Sequence, residues 1–169
     1  VIRPPSGIFV REYSTYDPVA VDVDRRRIDW FLREMRVIAK LQCPNTLTLY
    51  DFGRTAAGVL FMVTEFVEGE DLYDLLQRRG ALTEKETMHV LHQCLLSLSE
   101  AHEHGVLHRD IKPHNIRLSP YGDDPLRVKV LDFGLSKSME GAEGSTLTAA
   151  GLAVGTPRYM SPEQLTGKE

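Results

Sequence analysis

Apolar residues recur at helical spacing through Ile28, Phe31, Leu32, Met35, Ile38 and Leu41, and predict an amphipathic helix over 25–41, closed by Pro44-Asn45. Before it, residues 1–23 mix Pro4-Pro5, Ser6-Gly7 and Asp17-Pro18 with short apolar stretches that hold no period, so they read as a strand end and a long loop. After it, Thr46–Phe52 and Val59–Phe66 are rich in β-branched and aromatic residues, and Gly53 to Gly58 separates them as a hairpin loop. Asp71–Arg79 is a short helical stretch closed by Gly80. Thr83-Glu84-Lys85-Glu86 has the spacing of a capping box and opens a long helix that Gly105 stops. Met88, Leu91, Leu95 and Leu98 are the expected buried stripe of that helix. Short strands at Asn115–Leu118 and Arg127–Leu131 then flank a turn, and from Asp132 onward the composition is that of loop.

Length and composition narrow the class. A chain of 169 residues with 42% hydrophobic and 26% charged residues folds as one ordinary domain rather than a disordered or disulfide-dense one. A net charge of -4 supports no overall basic footprint of the kind nucleic acid or an anionic membrane needs, so any basic work is local. The apolar run Val59–Val63 falls far short of the ~20 residues that cross a bilayer. Cys43 and Cys94 lack C-x-x-C spacing and are expected as unpaired thiols in a cytoplasmic setting. His89 with His92, and His102 with His104, have no further ligand at zinc spacing, so a zinc site is not expected.

Chemistry concentrates after the long helix. His108-Arg109-Asp110-Ile111-Lys112-Pro113-His114-Asn115 puts a carboxylate, an ammonium and an amide within six residues, and Asp132-Phe133-Gly134 adds a second carboxylate beside a glycine. Phosphoryl transfer needs oxygen ligands for Mg²⁺, a cation on the transferred group and a base for the attacking hydroxyl, and these residue types supply each.

The pattern H-R-D-x-K-P-x-N resembles the catalytic loop of protein kinases, and Asp132-Phe133-Gly134 resembles their Mg²⁺-binding motif. Gly155-Thr156-Pro157-Arg158-Tyr159-Met160-Ser161-Pro162-Glu163 is similar to the end of a kinase activation segment, with Ser161-Pro162-Glu163 where Ala-Pro-Glu is common. The wording resembles serine/threonine kinases, and most of all the bacterial eukaryotic-like type. The fold this implies is α+β and two-lobed, incomplete here: a partial N-lobe over 1–64, a hinge over 65–70 and a partial C-lobe over 71–169.

By the same resemblance the cofactors are ATP and Mg²⁺, and the partners are proteins with Ser or Thr acceptors, the kinase itself included. Asp110 would orient the substrate hydroxyl and take its proton, Lys112 would contact the γ-phosphate, and Asn115 and Asp132 would hold Mg²⁺. Glu34, at the margin of the helix stripe, matches the glutamate that pairs with the ATP-positioning lysine. Thr64 matches the gatekeeper, Glu65 to Val67 the hinge that meets adenine, and Asp71 the ribose contact. Ile38, His108 and Phe133 match an apolar stack, which makes His108 structural. Arg109 would read phosphate on Thr146 or Thr148, and Thr156 would help seat the acceptor.

The chain also departs from the pattern. It contains no G-x-G-x-x-G, and no lysine precedes Lys40, which implies an interior piece of a kinase. Cys43 replaces a common histidine, and Arg117 stands where an apolar residue usually lies under adenine. The alternative is a pseudokinase or interaction scaffold, supported by the missing lysine and Arg117 and opposed by the intact Asp110, Lys112, Asn115 and Asp132. A small-molecule kinase of the aminoglycoside type fits Lys112 and the segment 155–163 less well.

Overall fold

The computed structural model describes residues 8–13, 21–56, 58–133 and 157–166. The first sheet has strand order β1-β3-β2, with β1 at Ile8–Tyr13, β2 at Leu49–Arg54 and β3 at Leu60–Glu65, all neighbours antiparallel. Between β1 and β2 runs α1, Val21–Ile38. Residues 1–23, expected as a strand end and a long loop, contain the six-residue edge strand β1, and α1 already starts at Val21. The helix also stops before 41, because the amides of Lys40 and Leu41 turn back to Val37 and Ile38, three residues behind, in a tightened last turn. The apolar spacing nevertheless selects the right face, since Ile28, Phe31, Met35, Ile38 and Leu41 are all buried.

A second small sheet has the order β4-β5-β6, from Glu70–Asp71, Ile116–Leu118 and Val128–Val130. It packs with α2, Leu72–Arg79, and α3, Glu84–Glu103. Asp71 caps α2, its carboxylate accepting from the Asp74 amide at 2.8 Å. Thr83 and Glu86 close the expected capping box at the start of α3. A last short helix, α4, spans Pro162–Thr166.

The expected stripe of α3 is wrong. Met88, Leu91 and Leu95 are exposed and Leu98 is half-buried, while Val90, Gln93, Cys94, Ser97 and Ala101 face the core. Apolar residues cover more than one side of this helix, so periodicity alone does not choose a face. Hydrogen bonding decides it. Gln93 Oε1 accepts from Asn45 Nδ2 and from the Val128 amide, both at 2.9 Å, and Ser97 Oγ meets Thr46 Oγ1 at 2.7 Å. A buried amide and hydroxyl are tolerated because each has partners there; a leucine at 93 would take the acceptor from the Val128 amide and one Asn45 N–H, and one at 97 would take the partner of Thr46.

This network extends to the segment between α1 and β2. Asn45 Nδ2 also donates to the Val128 carbonyl, and Glu100 accepts from the amides of Gln42 and Cys43 at 2.7 Å each. The segment after α1 is therefore tied to α3 and β6 by backbone and side chain together. Both cysteines are free thiols, and burial pushes that of Cys94 up to about 11. No helix among the described residues is long and apolar enough to cross a membrane.

Candidate active site

The site is built around one buried imidazole. His108 lies 2% exposed in the irregular stretch between α3 and the 3₁₀ turn Pro113–Asn115. Its Nε2 is 2.8 Å from the Leu131 carbonyl oxygen, which can only accept, so Nε2 carries a proton. Its Nδ1 accepts from the Asp110 amide at 3.3 Å, so the ring is neutral. Burial pushes its pKa below the ordinary value, against the Leu131 hydrogen bond and the charges of Asp110 and Asp132, which raise it. Both ring nitrogens are engaged by backbone, and the ring packs on Phe133 with centroids 4.7 Å apart. His108 thus fixes the Asp110 loop to the strand end that carries Asp132.

On that loop, Lys112 Nζ donates to Asp110 Oδ2 at 2.7 Å and Asn115 Nδ2 donates to the same oxygen at 3.0 Å. Asn115 Nδ2 also donates to the Asp110 carbonyl at 2.8 Å, which leaves Oδ1 as the acceptor end of the amide. Asp110 Oδ1 carries no hydrogen bond among the described residues. The carboxylate is therefore held through one oxygen and presents the other.

The backbone is strained on both sides of the imidazole. Arg109 has φ 64° and Asp132 has φ 56°, the two non-glycine residues in the left-handed region among those described. Such positions cost of order 1–3 kcal/mol each and persist where the surroundings fix them. Here Gln164 Nε2 donates to the Arg109 carbonyl at 2.7 Å, and the Leu131 amide donates to the Asn115 carbonyl at 2.9 Å.

Ile38 and Met35 of α1, Leu49, Thr64, Asp132 and Phe133 line one small cleft beside this stack. Glu34, one turn before Ile38, is half-buried; burial pushes its carboxyl up and the Arg109 guanidinium opposes this. Arg109 is the charged neighbour that acts on Glu34. Thr64 is buried at the end of β3, where the connecting segment to β4 begins.

That segment is held from below. Burial alone pushes the Glu65 carboxyl up, but the Lys129 ammonium at 2.5 Å and the Thr48 amide at 2.7 Å outweigh it and hold its pKa down. Lys129 is 5% exposed and also donates to the Thr46 carbonyl at 3.1 Å. Arg117 Nε donates to the Val67 carbonyl at 3.3 Å, and its Nη2 donates to the Gly69 carbonyl.

Asp110, Lys112 and Asn115 are thus joined on one loop and Asp132 stands on the strand end that His108 ties to it, with Thr64 on the adjoining cleft, Glu34 on α1 under the charge of Arg109, Val67 on the connecting segment and Asp71 at the start of α2. Gly134, Thr146, Thr148 and Thr156 lie outside the described residues. Sequence reasoning missed Lys129, Asn45, Gln93 and Gln164. For Lys129 and Gln93 the signal was a polar residue among apolar neighbours, and for Asn45 and Gln164 none was available.

The protein kinase domain family matches residues 18–169. The chain belongs to that family. Among curated relatives, the serine/threonine-protein kinase pkn3 of Myxococcus xanthus is 43% identical over 147 residues, which are 86% of this chain and 27% of pkn3. The serine/threonine-protein kinase PrkC of Bacillus subtilis is 33% identical over 144 residues, 85% of this chain and 21% of PrkC. The chain therefore spans about a quarter of these relatives' length. The crystal structure of Rad53 residues 1–466 in complex with AMP-PNP superposes with a TM-score of 0.62 at 34% identity, covering 76% of this chain and 31% of that one. The kinase fold expected from the motifs is the observed one.

Proposed function

We propose that these residues form the catalytic core of a serine/threonine protein kinase, which transfers the γ-phosphate of ATP to Ser or Thr hydroxyls of protein substrates. The carrying observation is the Asp110 carboxylate, held through Oδ2 by Lys112 and Asn115 with Oδ1 presented. That oxygen would accept the hydrogen bond of a substrate hydroxyl, orient its attack and take its proton as the new P–O bond forms. The Lys112 ammonium, positioned 2.7 Å from Asp110, would move onto a γ-phosphate oxygen and bring donor and acceptor to one point.

The donor set fits Mg²⁺. Asn115 turns its amide oxygen away from Asp110, and the Asp132 carboxylate stands on the strand end that His108 ties to the same loop. Mg²⁺ is held by one or two protein oxygens together with phosphate oxygens rather than by an all-protein cage, so these two residues suffice. Bound there, the ion would neutralise the charge that develops on the phosphates.

The segment Glu65 to Val67 would present its backbone to adenine, with Thr64 as the gatekeeper before it and Asp71 towards the ribose. Arg109, which acts electrostatically on Glu34, links α1 to the catalytic loop, and phosphate on Thr146 or Thr148 would compete for its guanidinium and bias α1. The kinase would then count itself among its protein substrates. Transfer of labelled γ-phosphate by the full-length natural protein tests the reading: Asp110→Asn lowers turnover by roughly 10² to 10⁴. Unchanged turnover overturns the role of Asp110.

A further inference from the structure

The peptide unit between Arg109 and Asp110 is held at both of its polar ends. Its N–H, which belongs to Asp110, donates to His108 Nδ1 at 3.3 Å, and its C=O, which belongs to Arg109, accepts from Gln164 Nε2 at 2.7 Å. One partner is the buried imidazole at the centre of the site. The other comes from α4, 55 residues along the chain. Arg109 has φ 64°, where non-glycine backbone rarely rests, and the two bonds fix the plane there. That plane sets the direction in which the Asp110 side chain leaves the backbone, and so where its carboxylate points.

Gln164 is itself held. Its Oε1 accepts from the Ser161 amide at 3.0 Å, and its own amide donates to Ser161 Oγ at 3.3 Å. These are the reciprocal bonds of an S-x-x-Q capping box, with Pro162 at the first helical position of α4. With Oε1 committed to the cap, Nε2 is the end of the amide left to reach the catalytic loop. Across residues 161–166 Gln164 is half-buried and its five neighbours are exposed, so little apolar packing competes with this bond in placing the helix. Ser161 stands where alanine is common in the motif, and a methyl group could not accept from the Gln164 amide.

We propose that Gln164 is a positioning residue for Asp110: one side-chain amide joins the cap of α4 to the Arg109 carbonyl, so that the end of the segment leading into α4 and the peptide bond in front of Asp110 keep one geometry. This rests on the role of Asp110 given under Proposed function. A bond that served stability alone would show its loss in the melting temperature. A bond that aims the carboxylate shows it in turnover, because a small rotation takes the acceptor oxygen off the line of the substrate hydroxyl.

Gln164→Glu separates the two ends of the amide. It keeps an oxygen for the Ser161 amide and puts a carboxylate oxygen in place of the donor facing the Arg109 carbonyl. Gln164→Met removes the donor without adding charge. In the full-length natural protein both lower kcat for a Ser-containing peptide about 10-fold, with the dissociation constant of MgATP within about 2-fold. In Gln164→Glu the melting temperature stays within about 3 °C, because the box is kept. Amide hydrogen exchange over 108–112 quickens in both variants, and Ser161→Ala, which spares the donor, lowers kcat less than about 3-fold. In an Asp110→Asn background Gln164→Glu has no further effect on kcat, because the group it aims is gone. Turnover within about 2-fold of the natural protein in both Gln164 variants overturns the proposal, and so does a fully additive loss in the Asp110→Asn background. If Asp110→Asn itself keeps its turnover, the reading of Asp110 fails instead. Exchange then decides the tie alone: quickened exchange over 108–112 upholds it and unchanged exchange refutes it.

Discussion

Replacing Lys129 by methionine removes one ammonium and little volume, and its cost follows from what the ammonium touches. The side chain is 6% exposed and bridges the Glu65 carboxylate at 2.5 Å to the Thr46 carbonyl at 3.1 Å. Breaking a buried pair by removing one partner costs ~3–5 kcal/mol, because the remaining charge is left uncompensated. Glu65 keeps the Thr48 amide at 2.7 Å, and its side chain is 21% exposed, so water and one donor recover part of that cost. Lys129→Met should therefore destabilise by about 2–3 kcal/mol, or roughly 5–10 °C in melting temperature.

Urea unfolding read by circular dichroism measures this, with an unchanged slope showing that the denatured state is the same. The double variant Lys129→Met with Glu65→Leu removes both charges and should recover at least about half of the loss. The pH dependence has a defined sign. In the natural protein the Glu65 carboxyl is held below its ordinary 4.5, so its contribution is present above that value and fades as pH falls. In Lys129→Met burial acts without the ammonium, the carboxyl takes its proton more readily, and the deficit shrinks below about pH 4.5. A single variant within about 0.5 kcal/mol of the natural protein, or no recovery in the double variant, refutes the reasoning.

Two further perturbations have defined outcomes. The Thr83 backbone amide, Arg79 and the Thr83 hydroxyl hold the Glu86 carboxyl down at about 2, so Glu86→Gln should flatten the loss of stability that the natural protein shows as pH falls from 4.5 towards 2. Melting curves across that range check it, and identical slopes contradict it. Gly69→Ala combines a positive φ with a Cβ 1.9 Å from the Leu118 oxygen and should cost at least about 2 kcal/mol by urea unfolding. A neutral result would mean that segment 66–70 is not seated on β5 as described.

Local rules made part of this fold legible. Apolar spacing chose the buried face of α1, Asp71 and the Thr83–Glu86 box marked two helix starts, and Gly80 marked a stop with φ 83°. The family was legible because its most distinctive motif packs into the eight consecutive residues His108 to Asn115. What stayed hidden was settled by distant partners. Gln93 and Ser97 face inward because Asn45, Val128 and Thr46 meet them, and no window along α3 contains those residues. Lys129 reads as a solvated position between Val128 and Val130, yet it is buried because Glu65 comes over it. Among the described residues, strand β1 pairs with β3 alone, more than forty residues away, and its own Pro-flanked sequence gave no period to recognise.

The central claim is that Asp110 acts on the substrate hydroxyl while Asn115 and Asp132 serve the metal-bound nucleotide. The direct measurement is kcat alongside the dissociation constant of MgATP for Asp110→Asn and Asp132→Asn in the full-length natural protein. The account predicts that Asp110→Asn loses turnover by roughly 10² to 10⁴ with nucleotide affinity within about 3-fold, whereas Asp132→Asn loses both. Equal effects on both constants in the two variants, or turnover that survives Asp110→Asn, would contradict it.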